Sequence, residues 1–149
     1  NADGLTPEVL AEARKKMRLQ TDSKGHTLNI APSFMIVPAA LEAKAAQVLN
    51  STAVPGTDSN SGIANPVHNM GQSIVEPRLD KADTGKWYLA SAQGTDTIEV
   101  AYLDGASVPY IEQQEGFTVD GSAFKVRIDA GVAPLDYRGM ARVDLASGG

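Results

Sequence analysis

Residues 50–69 read NSTAVPGTDSNSGIANPVHN, twenty positions rich in Ser, Asn, Thr, Pro and Gly with no periodic apolar pattern. This stretch constrains the fold most, because it separates two halves of different character. Helical signals dominate before it, and β signals dominate after it. Helices first and antiparallel strands later predict an α+β domain, a mixed or antiparallel sheet flanked by helices. The stretch itself reads as a long, exposed, mobile loop. A loop of that length in a compact domain is functional or disordered.

The first half opens with Thr6-Pro7-Glu8, a helix start. Thr6 is a capping residue, and Pro7 sits where its missing N–H costs nothing. Glu8 and Glu12 lie early while Arg14, Lys15, Lys16 and Arg18 lie late, which complements the helix dipole. Leu10, Ala13 and Met17 form a narrow apolar stripe, so the spacing predicts a helix over 7–19. Asp22 to Gly25 reads as a turn. Leu28–Ile30 and Phe34–Val37 read as short buried strands. Pro38 then opens an alanine-rich helix reaching about Leu49, with Leu41, Ala45, Val48 and Leu49 toward the core.

In the second half, Gln72–Glu76, Lys86–Ala92 and Thr97–Leu103 read as strands. In the third of these, Ile98, Val100 and Tyr102 share one face and Thr97, Glu99 and Ala101 the other. Phe117–Val119 and Ser122–Ile128 flank Asp120-Gly121, the strongest hairpin signal in the chain. Phe124, Val126 and Ile128 then face one way, and Lys125, Arg127 and Asp129 the other. A last extended segment is expected within 132–145. The tail 146–149 is expected to be disordered.

The length of 149 residues fits one domain able to bury a real core. A formal net charge of −5 argues against binding nucleic acid or an anionic membrane, which needs clustered Lys and Arg. With no cysteine, disulfides, thiolate metal sites and thiol catalysis are excluded. No apolar run approaches the ~20 residues of a membrane span, and no signal peptide is visible. The chain opens with Asn1 rather than methionine, which predicts a fragment or a processed product.

Catalysis needs a constellation of groups, and none emerges. His26 lies in a turn and His68 at the end of the loop. Neither has metal-ligand spacing, and a surface imidazole is the better reading of each. There is no GxSxG elbow and no phosphate-cradling glycine loop. Asp58 and Asn60 lack the alternating ligands and closing glutamate of a calcium loop. Asp80 and Asp83 fall in a polar turn. Trp87 is expected in the core and Tyr88 on the opposite face. Asp129 and Asp136, with Arg127 and Arg138, read either as a salt-bridge cluster at a subunit contact or as an exposed strand face with local ion pairs. Spacing alone favours the second reading. No cofactor or metal and no enzymatic activity are expected, and an interaction or structural protein fits better.

Several longer segments carry a resemblance. LNIAPSFMIVPAALEAKAAQVL (28–49), NPVHN (65–69), IVEPRLD, KWYLAS and GFTVDGSAFKVRIDAGVAPLDYRG (116–139) follow one another in this order. The series, from about Leu5 to Gly139, resembles the major head proteins of tailed bacteriophages, specifically the Mu-type major head subunit group. Some members of that group are encoded as fusions behind a ClpP-like prohead protease. The resemblance implies that residues 1–145 are a C-terminal major capsid domain, a fragment of the capsid fold covering the axial domain and part of the peripheral domain, with a flexible loop at 50–70. It implies a structural virion protein of the icosahedral phage or prophage head that encloses double-stranded DNA, self-assembled in the cytoplasm of the bacterial host. Its partners would be other copies of itself in pentamers and hexamers, with scaffold or decoration proteins as further partners, and no sequence-specific nucleic acid. The isolated fragment is expected to be monomeric. On this reading Lys125, Arg127, Asp129, Asp136 and Arg138 are subunit-interface candidates, as are Asn65 and His68 in the loop. The competing reading is a non-catalytic ligand- or carbohydrate-binding β-rich module, with a processing protease less favoured.

Overall fold

The computed structural model describes residues 4–54, 62–92, 94–116 and 121–144. In chain order these form α1 (Pro7–Arg18), β1 (Pro32–Val37), a 3₁₀ turn (Ala39–Leu41), α2 (Glu42–Asn50), β2 (Gln72–Val75), α3 (Arg78–Ala82) and β3 (Lys86–Ser91). There follow β4 (Ile98–Tyr102), a second 3₁₀ turn (Leu103–Gly105), β5 (Tyr110–Glu115), β6 (Ser122–Arg127), β7 (Ala130–Pro134) and β8 (Met140–Asp144). The chain is thus α+β, as its pattern predicts. It divides into two units: Asn1–Thr97 with Tyr137–Gly149, and Ile98–Asp136.

The first unit, the body, is built on a mixed four-stranded sheet in the order β2-β1-β3-β8. β1 runs parallel to β2 and antiparallel to β3, and β3 runs antiparallel to β8. The parallel pair needs a crossover, and the Ala-rich α2 lies between its strands in sequence. α1 starts as expected, with the Val9 amide donating to Thr6 Oγ1 at 3.4 Å. Its stripe of Leu10, Ala13 and Met17 is buried, joined by Leu5. Met35 and Val37 of β1, Ala45, Val48 and Leu49 of α2, and Trp87 and Leu89 of β3 complete most of the core. Trp87 is 0% exposed, which meets the expectation for it.

Two close fits fix this sheet. A Cβ on Gly71, just before β2, would lie 2.6 Å from the carbonyl oxygen of Ser33, so only glycine lets the backbones approach there. A Cβ on Gly139, just before β8, would lie 2.6 Å from Thr97 Oγ1 and 2.8 Å from Ser91 Oγ.

Several expectations are corrected. Residues 28–30 form no strand, and Asn29 instead takes a left-handed turn at φ 50°. Asp80 belongs to α3 rather than to a turn. Its carboxylate accepts the amides of Ala39 (2.7 Å) and Ala40 (3.1 Å), satisfying N–H groups that open the 3₁₀ turn ahead of α2. The stretch after α2 is exposed only in part. Asn65 Nδ2 donates to the carbonyls of Val48 (2.6 Å) and Ser51 (2.9 Å), and its Oδ1 accepts from the Val67 amide at 3.1 Å. Asn65 and Val67 are both buried, so this stretch is tied to the end of α2. Residues 55–61, with Asp58 and Asn60, lie outside the described residues.

The second unit is a β-ribbon made of two ladders. β4 pairs with β7, from Ile98 opposite Pro134 to Tyr102 opposite Ala130. β5 pairs with β6, from Tyr110 opposite Arg127 to Glu115 opposite Ser122. The sequence places a hairpin here, but the partner of β6 is Tyr110–Glu115. The expected strand 117–119 lies outside the described residues.

Candidate assembly surface

The ribbon has strand alternation without the burial that alternation usually reports. Every described residue from Ile98 to Leu135 is exposed, on both faces of both ladders. In the β4–β7 ladder, Ile98, Val100 and Tyr102 stand opposite Pro134, Val132 and Ala130. In the β5–β6 ladder, Ile111 stands opposite Val126 and Gln113 opposite Phe124. Phe124 is 66% and Val126 63% exposed. Alternation at 122–128 therefore separates two faces without burying either. An isolated two-stranded ribbon is marginally stable in water, and a contiguous apolar face of this kind marks an interaction site.

The opposite face is polar and largely pairs with itself. Lys125 Nζ lies 3.7 Å from Glu112 Oε2, the residue directly across the ladder. Arg127 grips Asp129 at 2.7 Å. Each pair is solvent-exposed and of the kind worth ~0–1 kcal/mol, so it orients more than it stabilises. Between the two ladders, residues 103–109 face only residues 128–129 across the ribbon. The Leu103 amide still bonds the Asp129 carbonyl at 3.2 Å, and Asp104 and Gly105 take positive φ. A cavity of about 200 Å³ opens at this irregularity, between Leu103, Val108, Tyr110 and the Arg127–Asp129 pair.

The structure therefore brings Arg127 and Asp129 together, as the sequence suggests, and gives Lys125 a different partner, Glu112. Asp136 closes the ribbon unit, while Arg138 belongs to the body. The guanidinium of Arg138 sits 5.4 Å from the centroid of the Tyr137 ring. Asn65 and His68 also belong to the body. Asn65 is inward-facing, and His68 is exposed, with its ring 3.1 Å from Asn69 Nδ2. The exposed apolar face is not legible in the sequence pattern, because alternation shows which residues share a face and not whether that face is covered. The available signal was the density of carboxylates around it.

Three carboxylates of the body, each in a local turn, have lowered pKa values. Asp22 is lowered by hydrogen bonds from His26, backbone and side chain. Glu76 is lowered to about 2 by the Arg78 side chain, which reaches both its oxygens. Asp83 is lowered by the Lys86 ammonium and the Gly85 amide. The largest cause in each case is a neighbour within four residues, which is turn chemistry, with Arg142 adding a weaker pull on Asp83. Among the described residues no group of three His, Asp or Glu side chains could hold a metal ion. No helix among them is long and apolar enough to cross a membrane.

A small α+β body and a strand ribbon with exposed apolar side chains on its ladders make up the described chain, with no catalytic constellation among the described residues. Among protein families, the model for phage capsid protein matches residues 1–143, and the chain belongs to that family. The family is structural, which implies association with further capsid copies and a place in the virion. Searches among curated proteins and solved structures returned no match.

Proposed function

We propose that this chain is the C-terminal part of a Mu-type major head subunit, which builds an icosahedral shell around double-stranded DNA by self-assembly. The observation that carries this reading is the ribbon, whose outward apolar face needs a partner in a chain of the capsid family. A shell gains stability from many modest contacts made at once, each helped by the effective concentration the others create. On this reading the ribbon supplies one such contact. Lys125, Arg127 and Asp129 set its register through charge, with Asp136 and Arg138 at its base in sequence. The described part of the 50–70 segment, with exposed His68 held in place by buried Asn65, lies toward the centres of pentamers and hexamers. The body acts as the axial-domain-like part of a domain spanning 1–145, assembly takes place in the host cytoplasm, and the parent chain carries a ClpP-like protease module upstream.

Electron microscopy of particles formed by the full-length parent protein tests this. Closed shells with this domain around their five-fold and six-fold centres are expected. A protein that stays monomeric under every assembly condition, or forms only open aggregates, would contradict the reading. Cutting of the parent chain between a protease module and residue 1 during assembly would support the fusion, and a parent chain without such a module would remove it.

A further inference from the structure

Charge is distributed very unevenly along this chain. Residues 98–136 carry seven carboxylates and two cations, a net −5, while the remaining residues carry eleven of each. The whole net charge of the molecule therefore belongs to the ribbon unit. Within the balanced remainder, four cations fall in the five positions 14–18, at the end of α1. α1 buries Leu10, Ala13 and Met17 and turns its other side outward. That side forms a shallow groove of about 440 Å³ lined by Ala11, Arg14, Lys15, Arg18 and Leu19. Leu19 is 60% exposed at its end. Lys15 is engaged loosely with Glu12 at 3.4 Å, while Arg14 and Arg18 have no ion-pair partner among the described residues.

The outer ladder of the ribbon has the complementary make-up. Residues two apart on a strand share a face, so Ile111, Gln113 and Glu115 line up with Val126, Phe124 and Ser122 across the ladder. This face grades from the apolar pair Ile111–Val126 through Gln113–Phe124 to the polar pair Glu115–Ser122, and Glu115 has no ion-pair partner among the described residues. We propose that this face of β5–β6 docks into the α1 groove of a second copy, with Phe124 and Val126 against Leu19 and Ala11, and Glu115 against Arg14 and Arg18. The proposal rests on the head-subunit reading and names the surface that reading leaves open.

Three features favour a second copy over another occupant. Both halves of the contact lie on the same chain and carry opposite charge. Joining two different patches is a heterologous contact, which propagates from copy to copy and closes when the rotation allows. The cations of the groove are interleaved with exposed Leu19 and half-buried Ala11, which suits a mixed apolar and acidic strand face better than a bare phosphate backbone.

The test uses the full-length protein freed of any cysteine outside this chain, which itself has none. Two single variants, Leu19→Cys and Gln113→Cys, are mixed, assembled and oxidised, and disulfide-linked peptides are read by mass spectrometry. Any 19–113 bond is then between copies. We expect it to exceed 19–19 and 113–113 bonds at least ten-fold. Glu115→Lys should lower its yield about ten-fold, and Arg18→Glu on the partner should restore it. Ser122→Cys replaces Gln113→Cys as a second probe of the same face. Shells that form without either bond, as expected if DNA, another protein or the chain's own body covers these surfaces, would overturn the proposal and leave the head-subunit reading standing. Bonds insensitive to Glu115→Lys would also overturn it. Absence of any assembled particle from the unsubstituted protein would overturn both.

Discussion

Trp87 and Phe124 are both aromatic residues on antiparallel strands with alternating sequence, yet one is wholly buried and the other two-thirds exposed. The difference lies in what each strand pairs with. β3 sits inside a four-stranded sheet with helices supplying apolar side chains, so its Trp87 and Leu89 face finds a core. β6 sits in a two-stranded ladder whose partner offers only its own edge. Local pattern is the same in both, and what differs is the number of layers available within the chain. The body completes its core with its own residues, whereas the described ribbon residues from Ile98 to Leu135 bury none of theirs.

Core truncations give the largest contrast. Trp87→Ala should destabilise the isolated chain by about 3–5 kcal/mol, because a fully buried indole is lost and the cavity is closed only in part. Phe124→Ala should change it by no more than about 0.5 kcal/mol, as at other exposed sites. Both are read from denaturant unfolding, and equal costs would erase the distinction between the two units. Next come the close fits of the body. Gly71→Ala forces a methyl against the Ser33 carbonyl and should cost about 1–3 kcal/mol, while Gly121→Ala in the ribbon, where nothing lies within 4 Å, should cost far less. Asp80→Ala leaves the Ala39 and Ala40 amides without their acceptor and should cost about 0.5–2 kcal/mol, the range of a helix cap.

Acid should have the smallest effect. The Arg78 guanidinium holds the Glu76 carboxyl down to about 2, against 4.5 for an unpaired glutamate, so the pairing favours the folded state above pH 4.5. That contribution fades as the pH falls from 4.5 toward 2. The melting temperatures of the protein and of Glu76→Gln should therefore converge over this window, by a small amount because the pair is exposed. A gap that widens on acidification would show that the Arg78 contact does not lower Glu76.

Much of the body was legible because its signals are local. Thr6, Pro7 and the Leu10–Ala13–Met17 stripe specify α1 within one residue of its end. Val-Pro and the alanines specify a helix from Pro38, which the structure divides into the 3₁₀ turn Ala39–Leu41 and α2. β1, β2, β3 and β4 all lie where the sequence puts them, with β1 beginning two residues early. Elements that depend on distant partners were not legible. Tyr110–Glu115 has apolar residues only at 110 and 111, and becomes a strand because β6 pairs with it. α3 is five residues long and is tied down by Asp80 reaching back to residues 39 and 40. Asn65 looked like loop because its bonds go to the end of α2, 14 and 17 residues away. Of the candidate surface, the charged face was read correctly as charged. The exposure of its apolar reverse is not legible there, since a sequence shows which residues share a face but not whether anything covers it.

Amide hydrogen exchange tests the central claim most directly, comparing the isolated chain with assembled particles. The account predicts that amides of β3 are strongly protected in both states. Those of β5 and β6, such as Ile111 and Val126, should exchange within about a hundred-fold of the unstructured rate in the isolated chain and become protected only on assembly. Ribbon amides protected as well as those of β3 in the isolated chain, or left unprotected in the particle, would contradict it.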